Sequence, residues 1–393
     1  AGRQGGSNAL PSLPSCRLAA LSSHVLLYLH VPFCARRCSY CDFAIAVRRE
    51  TPSAAYADAV LREWRLRQDF PAWEASPQVE TIYLGGGTPS RLESAALGTV
   101  LDGIRTERPV AAHAEITLEA NPDDVTSLSA EAWLAAGVNR ISLGAQSFSP
   151  VVLAWMHRTH PAEQIATAVG LLRRAGVANL SLDLIYGLPS ELGHDWAADL
   201  ERALALEPEH LSLYALTVEP RTPLGRWSAR GEVVPAPDER AALEFLSAHH
   251  LLGRAGFEHY EVSNAARPGY RARHNAGYWR REPFLGLGPS AHSAAGRTRA
   301  WNLREWEAYR RIATAGGDPR EAAEELTDAQ VALEERYLGL RTDAGLPASQ
   351  LAEPDRARWV AAGWASLDRE RVRLTPEGWL RLDALVASLP DES

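Results

Sequence analysis

Apolar residues in this chain fall into short continuous runs that are separated by amphipathic stretches. Six of the runs have the composition of β-strands: VLLYLHV (25–31), TIYLGG (81–86), EITLEA (115–120), RISLGA (140–145), LSLDLIY (180–186) and HLSLYALTV (210–218). Because the apolar residues are consecutive rather than alternating, the pattern indicates strands that are buried on both faces. Such strands are typical of a parallel sheet covered by helices.

The stretches between these runs have the spacing of amphipathic helices. They include AAYADAVLREWRLR, SAEAWLAAG, PAEQIATAVGLLRRAG, HDWAADLERALALEP and DERAALEFLSAHHLLGRAG. A helix–Gly–strand junction recurs as AAGVNRISL, RAGVANLSL and RAGFEHYEV, and the glycine is expected in the left-handed position that ends a helix. Six strand–helix units predict an α/β fold with a parallel sheet, open or curled into a partial (β/α)6 barrel.

Polar residues and glycines gather where the predicted strands end. The first strand leads into a cysteine loop, the second into GGGTPS (85–90), and the third ends at Glu119. The fourth ends at Gln146, the fifth contains Asp183, and Thr217 lies near the end of the sixth. The carboxyl ends of parallel strands share one edge, where barrels and open α/β sheets place their sites. We therefore expect a functional site there.

The cysteine loop is the most specific chemical signal in the chain. Cys34, Cys38 and Cys41 form a CxxxCxxC motif that can hold three irons of a cubane iron–sulfur cluster. A protein-bound cluster ordinarily takes four cysteines, so one iron would stay open to a reactant. The remaining cysteine, Cys16, lies in an Ala/Ser/Gly/Pro-rich tail and is a poor fourth ligand. A disulfide would leave one thiol unpaired, and structural zinc needs four ligands.

The other strand-end residues point to a polar ligand. The glycines of GGGTPS permit close approach of a ligand to backbone, although a flexible turn is the alternative, and neither GxGxxG nor a lysine-containing phosphate loop is present. Glu119, Gln146, Arg158 and Asp183 could each be solvated loop residues. Together they favour a ligand that carries a carboxylate, ribose hydroxyls and a positive centre, with Arg158 on the carboxylate and the two acids on the hydroxyls.

Composition and charge restrict the class of protein. The chain has 393 residues, of which 46% are apolar and 23% charged, as expected for a globular protein of two or three domains. Four cysteines, three of them clustered, fit a reducing compartment rather than a disulfide scaffold. With no apolar run of about 20 residues and no signal-peptide core, a cytoplasmic location is expected. Residues 321–393 hold 15 Asp/Glu against 8 Arg, in a chain of net charge −8, which disfavours nucleic acid as a partner.

Six motifs in this order resemble one branch of the radical S-adenosylmethionine (radical SAM) superfamily: YLHVPFCxxxCxYCDF, GGGTPS, LEANPDD, RISLGAQSF, LSLDLIYGLP and LYALTVEPRTPL. This branch contains the oxygen-independent coproporphyrinogen dehydrogenases and heme chaperones of the HemW type, and the match covers roughly residues 24–300. The resemblance implies a [4Fe–4S] cluster on Cys34, Cys38 and Cys41, with SAM chelating the open iron. It also implies a SAM site formed by Tyr28, Tyr40, Gly86, Gly87, Thr88, Glu119, Gln146, Arg158, Asp183 and Thr217.

Two features distinguish the members of this branch. The coproporphyrinogen enzymes have a further cysteine two residues after the third ligand, where this chain has Phe43. The string HNAGYW (274–279) matches the HNxxYW pattern of the heme chaperones, which implies that His274 binds heme. An imidazole is a natural axial ligand of heme iron, and Tyr278 and Trp279 could pack on the porphyrin. The alternative is a buried structural histidine. The rival ligands are His160, His259 and His292.

The pattern predicts four segments. Residues 1–23 form a disordered tail, 24–255 the radical SAM core, and 256–320 a connecting segment with the HNAGYW motif. Residues 321–393 form a mainly helical, winged-helix-like domain, which we interpret as a lid or docking surface because its acidic balance argues against DNA.

The expected function is that of a heme chaperone. It would bind the cluster, SAM and heme and transfer heme to an unidentified acceptor protein, membrane-associated acceptors included, with an electron donor serving the cluster. The alternative is oxygen-independent coproporphyrinogen III dehydrogenase, because a carrier has no obvious need for a complete SAM site. A third hypothesis is another radical reaction on a tetrapyrrole.

Overall fold

A computed structural model describes residues 25–389, so the predicted tail and Cys16 lie outside the described residues. The strands are β1 Val25–Val31, β2 Phe33–Cys34, β3 Ala46–Val47, β4 Val79–Gly86, β5 Val110–Ala120, β6 Arg140–Gln146, β7 Leu180–Tyr186, β8 His210–Ala215, β9 Glu258–Glu261, β10 Asn264–Ala266, β11 Phe284–Leu287, β12 His292–Ala295, β13 Thr298–Asn302, β14 Arg320–Glu325, β15 Leu346–Pro347, β16 Ala365–Asp368 and β17 Arg371–Leu374.

The α-helices are α1 Ser53–Leu66, α2 Ser94–Glu107, α3 Ser127–Ala135, α4 Pro150–Trp155, α5 Ala162–Ala175, α6 Trp196–Leu204, α7 Pro223–Ala229, α8 Asp238–Arg254, α9 Arg273–Trp279, α10 Trp306–Thr314, α11 Asp328–Leu340, α12 Glu353–Ala361, α13 Pro376–Trp379 and α14 Leu382–Ala387. Between residues 25 and 389, no helix combines the length and the apolarity that crossing a bilayer requires.

Most of the strands join one sheet of twelve, in the order β14-β13-β12-β11-β1-β4-β5-β6-β7-β8-β10-β9. The six predicted strands, β1 and β4 to β8, pair in parallel along the sheet. A seventh parallel strand, β11, pairs with the other edge of β1. Because β14 and β9 lie at opposite ends of the order, the sheet is an open, partial barrel, which confirms the predicted fold class.

The six predicted strands are all observed, but β4 and β5 begin two and five residues earlier than predicted. β1 and β7 have the predicted bounds, whereas β8 ends at Ala215, three residues before the end of its apolar run. Helix α2 is not predicted by the pattern, because its two internal glycines weaken a helical signal. Gly103 has a packing reason, since a Cβ there would lie 2.5 Å from the Leu61 side chain of α1. The glycine lets α1 and α2 approach closely.

The three helix–Gly–strand junctions have the backbone conformation that the sequence predicts. Gly137, Gly176 and Gly256 have φ values of 98°, 104° and 82°. At Gly176 the left-handed residue ends α5, and its N–H donates to the Arg173 carbonyl at 3.0 Å. Each glycine therefore reverses the chain from an outer helix into the next strand.

The sheet extends on both sides of the predicted core. β8 pairs antiparallel with β10, and β11 to β14 form an antiparallel meander beyond β1. Strands of the main sheet thus come from three of the four predicted segments. The boundary at residue 255 falls between α8 and β9 and the one at residue 320 falls within β14, and both stay a prediction.

A buried carboxylate links α1 to this meander. Glu63 accepts hydrogen bonds from Arg67 (3.0 Å), from the Asn302 side chain (2.7 Å), from the Tyr309 hydroxyl (2.7 Å) and from the Gly288 N–H (2.9 Å). Its side chain is fully buried. The four donors around the carboxyl group offset the cost of removing it from water.

The C-terminal part is mainly helical and winged-helix-like, as predicted. Helices α11 to α14 surround a three-stranded antiparallel sheet in the order β15-β17-β16, with Trp359 fully buried among them. Thr327 and Gln330 form a capping box that begins α11. Ion pairs from α11 and the residue after it join this part to the main sheet, between Arg281 and Glu334 (2.9 Å) and between Arg341 and Glu261 (2.9 Å).

Candidate functional site

A cavity of about 420 Å³ lies at the carboxyl ends of the parallel strands. Its lining includes the three clustered cysteines and nine of the ten residues that the resemblance implies for SAM: Tyr40, Gly86, Gly87, Thr88, Glu119, Gln146, Arg158, Asp183 and Thr217. The cavity also has a size that is ordinary for small-molecule sites, roughly 300–1,000 Å³. The structure thus brings together side chains that are scattered over almost 200 positions of sequence.

The cysteine loop is held at its base by a short parallel pair of strands, β2 and β3. The thiols of Cys34, Cys38 and Cys41 are free and half-buried. Thr88 donates a hydrogen bond to the Cys34 sulfur at 3.4 Å, and Arg158 donates to the Cys38 sulfur at 3.6 Å. These donors favour thiolates, which are the form that binds metal.

Burial works in the opposite direction on these thiols. It raises the pKa of Cys34, and it raises the pKa of Cys41 to about 11. Metal binding must therefore displace protons from these sulfurs. Among residues 25–389, no three His, Cys, Asp or Glu side chains converge as the ligands of a single ion would. A cubane cluster takes each thiolate on a different iron.

Glu119 is a buried acid of the cavity whose pKa is raised. Its two oxygens accept hydrogen bonds from the Tyr83 hydroxyl (2.8 Å) and from the Gly86 N–H (3.0 Å). Burial raises its pKa from 4.5 to about 7, and the nearby Asp183 adds to this, while the two donors oppose it. A carboxyl group with such a pKa changes charge near neutrality and is suited to a cationic or hydroxylated ligand.

Arg158 is placed beside the cysteine loop by contacts with two strand ends. It donates to the Asn121 side chain (2.6 Å) and to the Gly144 carbonyl (2.9 Å), in addition to Cys38. Gln146, at the end of β6, has a φ of 68°, a strained conformation for a residue with a side chain. Asp183 accepts hydrogen bonds from Ser142 at 2.9 and 3.1 Å, and burial raises its pKa.

Tyr28, the tenth residue implied for SAM, does not line this cavity. It lines a second cavity of about 550 Å³ on the other side of β1, and its hydroxyl lies 3.1 Å from His30 Nδ1. Tyr28 is three positions before the end of β1, which corresponds to about 10 Å along a strand. Its assignment to SAM stays a prediction.

His274 is also outside the cysteine cavity. Its Nδ1 lies 2.7 Å from the Thr81 hydroxyl and its Nε2 lies 2.8 Å from the Tyr278 hydroxyl, while its backbone N–H donates to Glu115. The residue is 1% exposed, and burial lowers the pKa of its ring to about 3. With both ring nitrogens engaged, this arrangement does not fit a direct bond to heme iron. Heme binding by His274 stays a prediction.

The rival histidines differ in how free their rings are. His160 is buried against the Ala145 carbonyl (3.4 Å), and His259 lies between His249 (3.1 Å) and the Val262 carbonyl (3.3 Å). His292 is exposed on β12, beside Trp301. Of the three, only His292 has an exposed side chain, while His160 keeps a ring nitrogen without a hydrogen-bond partner but is buried.

The sequence alone does not identify several of the residues that line the cysteine cavity. Tyr83, Asn121, Ser142 and Tyr214 all line the cysteine cavity. Asn121 follows Glu119 in the LEANPDD motif and could have been included on that basis. Tyr83, Ser142 and Tyr214 lie within apolar runs, and no spacing signal distinguishes them from core residues.

Comparison with known proteins agrees with this geometry. The model of the Radical SAM superfamily matches residues 28–203. The heme chaperone HemW of Mycobacterium tuberculosis is 38% identical over 367 residues, covering 92% of this chain and 94% of its own. The heme chaperone HemW of Escherichia coli is 42% identical over 267 residues, covering 68% of this chain and 69% of its own.

Among solved structures, coproporphyrinogen III oxidase from Escherichia coli, a radical SAM enzyme, superimposes with a TM-score of 0.77 at 24% identity, covering 93% of this chain and 89% of that one. At that identity the likeness concerns the fold. The two sequence relatives are more similar, at 38% and 42% identity, and the one from Mycobacterium tuberculosis covers 92% of the chain. The chain therefore belongs to the HemW family of heme chaperones within the radical SAM superfamily.

Proposed function

We propose that this protein is a heme chaperone that holds a [4Fe–4S] cluster and SAM in the cysteine cavity, binds heme, and passes it to an acceptor protein. The observation that carries the proposal is that Cys34, Cys38 and Cys41 line one cavity with nine residues implied for SAM. Full-length similarity to heme chaperones supports the same role. In this proposal segment 24–255 holds the cluster and SAM, 256–320 supplies heme contacts, and 321–393 covers them.

The side chains of the cavity match the polar groups of SAM. Glu119 and Asp183 can accept hydrogen bonds from ribose hydroxyls or an ammonium group, and Arg158 can face a carboxylate. Gly86 and Gly87 line the same cavity, so the backbone of this strand end can contact the ligand. When bound, the cluster and SAM supply one-electron chemistry, for which an electron donor is required. Such a cluster also fits a reducing, cytoplasmic location.

The pH dependence of SAM binding tests the role of Glu119. Burial holds its pKa near 7 in the empty protein, so the carboxylate that attracts a cation forms only as the pH rises through 7. We expect the affinity for SAM, measured by isothermal titration calorimetry on reconstituted protein, to rise about tenfold more between pH 6 and 8 than in Glu119→Gln. Comparing the two pH profiles removes the effect of the ionisable groups of SAM itself, because that effect is the same in both proteins. Equal profiles in the two proteins would exclude Glu119 from the site.

Ionisation of Glu119 should raise the affinity for SAM but lower the stability of the fold. Because the folded pKa lies above the ordinary 4.5, folding favours the protonated acid. The contribution of Glu119 to stability is therefore present at low pH and is lost as the pH rises from about 4.5 to 7. Binding and stability thus respond in opposite directions to the same proton.

Heme binding and transfer distinguish the proposal from radical decarboxylation of coproporphyrinogen III. We expect the anaerobically reconstituted protein to bind heme stoichiometrically and to transfer it to an apo-hemoprotein, followed by the Soret absorption of the product. With SAM, reductant and coproporphyrinogen III, we expect no turnover. Phe43 lines the cavity and is 59% exposed, at the position where the coproporphyrinogen enzymes have a cysteine. Protoporphyrinogen formation over many cycles would replace the chaperone proposal with the dehydrogenase.

A further inference from the structure

The second cavity has the properties of a site for a flat ligand. Its volume is about 550 Å³, and it lies between α9, α11 and the meander β11 to β13. One part of the lining is aromatic or apolar, formed by Tyr28, Tyr278, Trp279, Phe284, Trp301 and Leu338. The other part is polar and includes two arginines, Arg281 and Arg299, and three acids, Glu282, Glu324 and Glu334. Aromatic rings around a cavity of this size favour a planar apolar ligand.

This cavity shares a wall with the cysteine cavity. His30 lines the second cavity and Gly86 lines the first. A Cβ on Gly86 would lie 2.6 Å from the His30 ring, so the strand and the ring are in contact. Two hydrogen bonds hold the His30 ring in place: its Nε2 lies 2.8 Å from the Ala44 carbonyl of the cysteine loop, and its Nδ1 lies 3.1 Å from the Tyr28 hydroxyl.

Three imidazoles lie in or beside the second cavity, and they are not equivalent. The ring nitrogens of His30 and His274 are all engaged in hydrogen bonds. Neither ring nitrogen of His292 has a hydrogen-bond partner among residues 25–389, and the residue lines the cavity with an exposed side chain. Burial and the neighbouring Arg299 lower the pKa of His292, so the ring is neutral near pH 7, as a metal ligand must be.

Two arginines at the cavity are held by a carboxylate from α11. Arg281 pairs with Glu334 at 2.9 Å and with Glu335 at 3.3 Å, and Arg299 also contacts Glu334. Arg281, Arg299 and Glu334 all line the cavity, and Glu324, which lies 3.8 Å from Arg299, lines it too. A ligand that carries its own carboxylates could take the place of Glu334 on either arginine.

We propose that the second cavity is the heme site, with His292 as the axial ligand of the iron and Arg281 and Arg299 as the partners of the propionates. The proposal rests on the function proposed above. In it, the propionates displace Glu334 from the two arginines, so that heme binding breaks ion pairs between α11 and the meander. The only bond that forms on the metal is from a neutral imidazole nitrogen, so no proton or electron is exchanged.

His274 then acts as a positioning residue rather than a ligand. Its Nε2 is bonded to the Tyr278 hydroxyl, and the Tyr278 ring packs against Phe284 at 4.7 Å between centroids. Both aromatic residues line the second cavity. Removing His274 would loosen that wall while leaving the iron ligand in place.

The test is a titration of the purified full chain with hemin, in which the Soret position and affinity are measured for the parent protein and for His292→Gly. We expect the substitution to weaken binding by at least about tenfold and to remove the spectrum of a histidine ligand. Added imidazole should restore that spectrum, because the smaller residue leaves space for it. His250→Gly, at an exposed histidine of α8, serves as the control and should behave as the parent.

Three further variants extend the test. Glu334→Gln should strengthen heme binding, because it removes the carboxylate that competes with the propionates, and Arg281→Gln should weaken it. His274→Ala should keep the histidine-ligated spectrum even if its affinity falls. Circular dichroism checks that each variant is folded.

The outcomes separate the two proposals. If the parent protein binds no heme, both the proposed chaperone function and the proposed heme site in the second cavity are wrong. If the parent binds heme and His292→Gly has an unchanged spectrum and affinity, the chaperone function stands and the site is wrong. A loss in His292→Gly that imidazole fails to restore would also overturn the assignment of His292 as ligand.

Discussion

Replacing any one of Cys34, Cys38 and Cys41 with serine should abolish the iron–sulfur chromophore after anaerobic reconstitution. Only these three cysteines lie among the residues that line the cavity. Because a cubane on three thiolates already has an open iron, the loss of one more ligand leaves two, and we expect the bound iron to fall from about four per chain to near zero. The measurement is visible absorption together with iron and sulfide content.

Cys16→Ser provides the matched control for this experiment. It removes the one cysteine outside the motif and should leave iron content and absorption unchanged. Full iron content in any single motif variant would contradict the assignment of that cysteine. A cluster that disappears in Cys16→Ser would show that the cluster has a fourth thiolate ligand.

Glu63→Ala should strongly destabilise the fold. The alanine would leave the Tyr309 hydroxyl and the Gly288 N–H without their acceptor, and the Asn302 side-chain nitrogen would keep only its bond to the Gly288 carbonyl (2.9 Å). Of its two acidic partners, Arg67 would keep only Asp318 (2.7 Å). Removing one partner of a buried ion pair costs about 3–5 kcal/mol. Urea unfolding followed by circular dichroism measures the loss.

Two controls define the origin of this loss. Glu63→Gln keeps the shape and an acceptor oxygen, so it should be less destabilising than the alanine variant. Glu232→Ala removes a carboxylate whose partner, Arg230, is at the surface, and it should leave the unfolding midpoint unchanged. If Glu63→Ala unfolds at the same urea concentration as the parent, the hydrogen bonds to Glu63 contribute nothing measurable to the free energy of unfolding.

The core of the fold could be predicted from the sequence because its signals are local. Continuous apolar runs identify β1 and β4 to β8, and a glycine after each of three helices identifies a junction. Helix α2 could not be predicted because Gly103 is a residue type that disfavours helices. The structure shows that the glycine is required by the close contact with Leu61 of α1. The pairing of β11 with β1 escapes prediction because a short strand far along the chain has no local signal for its partner.

The candidate site could be predicted as far as it depends on strand ends. Parallel strands place Glu119, Gln146 and Asp183 at the same edge of the sheet, the one where the strands end, and this placement does not depend on how the helices pack. The environment of His274 could not be predicted in this way. Thr81, which engages its Nδ1, lies 193 positions away, and no motif shows that a ring nitrogen is already occupied.

The partners of β1 and Glu63 determine when this chain can complete its fold during synthesis. One edge of β1 pairs with β4, soon after it in the chain, but the other pairs with Phe284–Leu287, and the last hydrogen-bond donors to Glu63 are Asn302 and Tyr309. Until the ribosome has released those residues, the nascent chain carries an unpaired strand edge and a carboxylate that has only Arg67 of its four donors. At about 5–20 residues per second, that exposed interval lasts on the order of ten seconds or more. The cysteine loop, which follows β1 directly, is therefore made long before the sheet that supports it is complete.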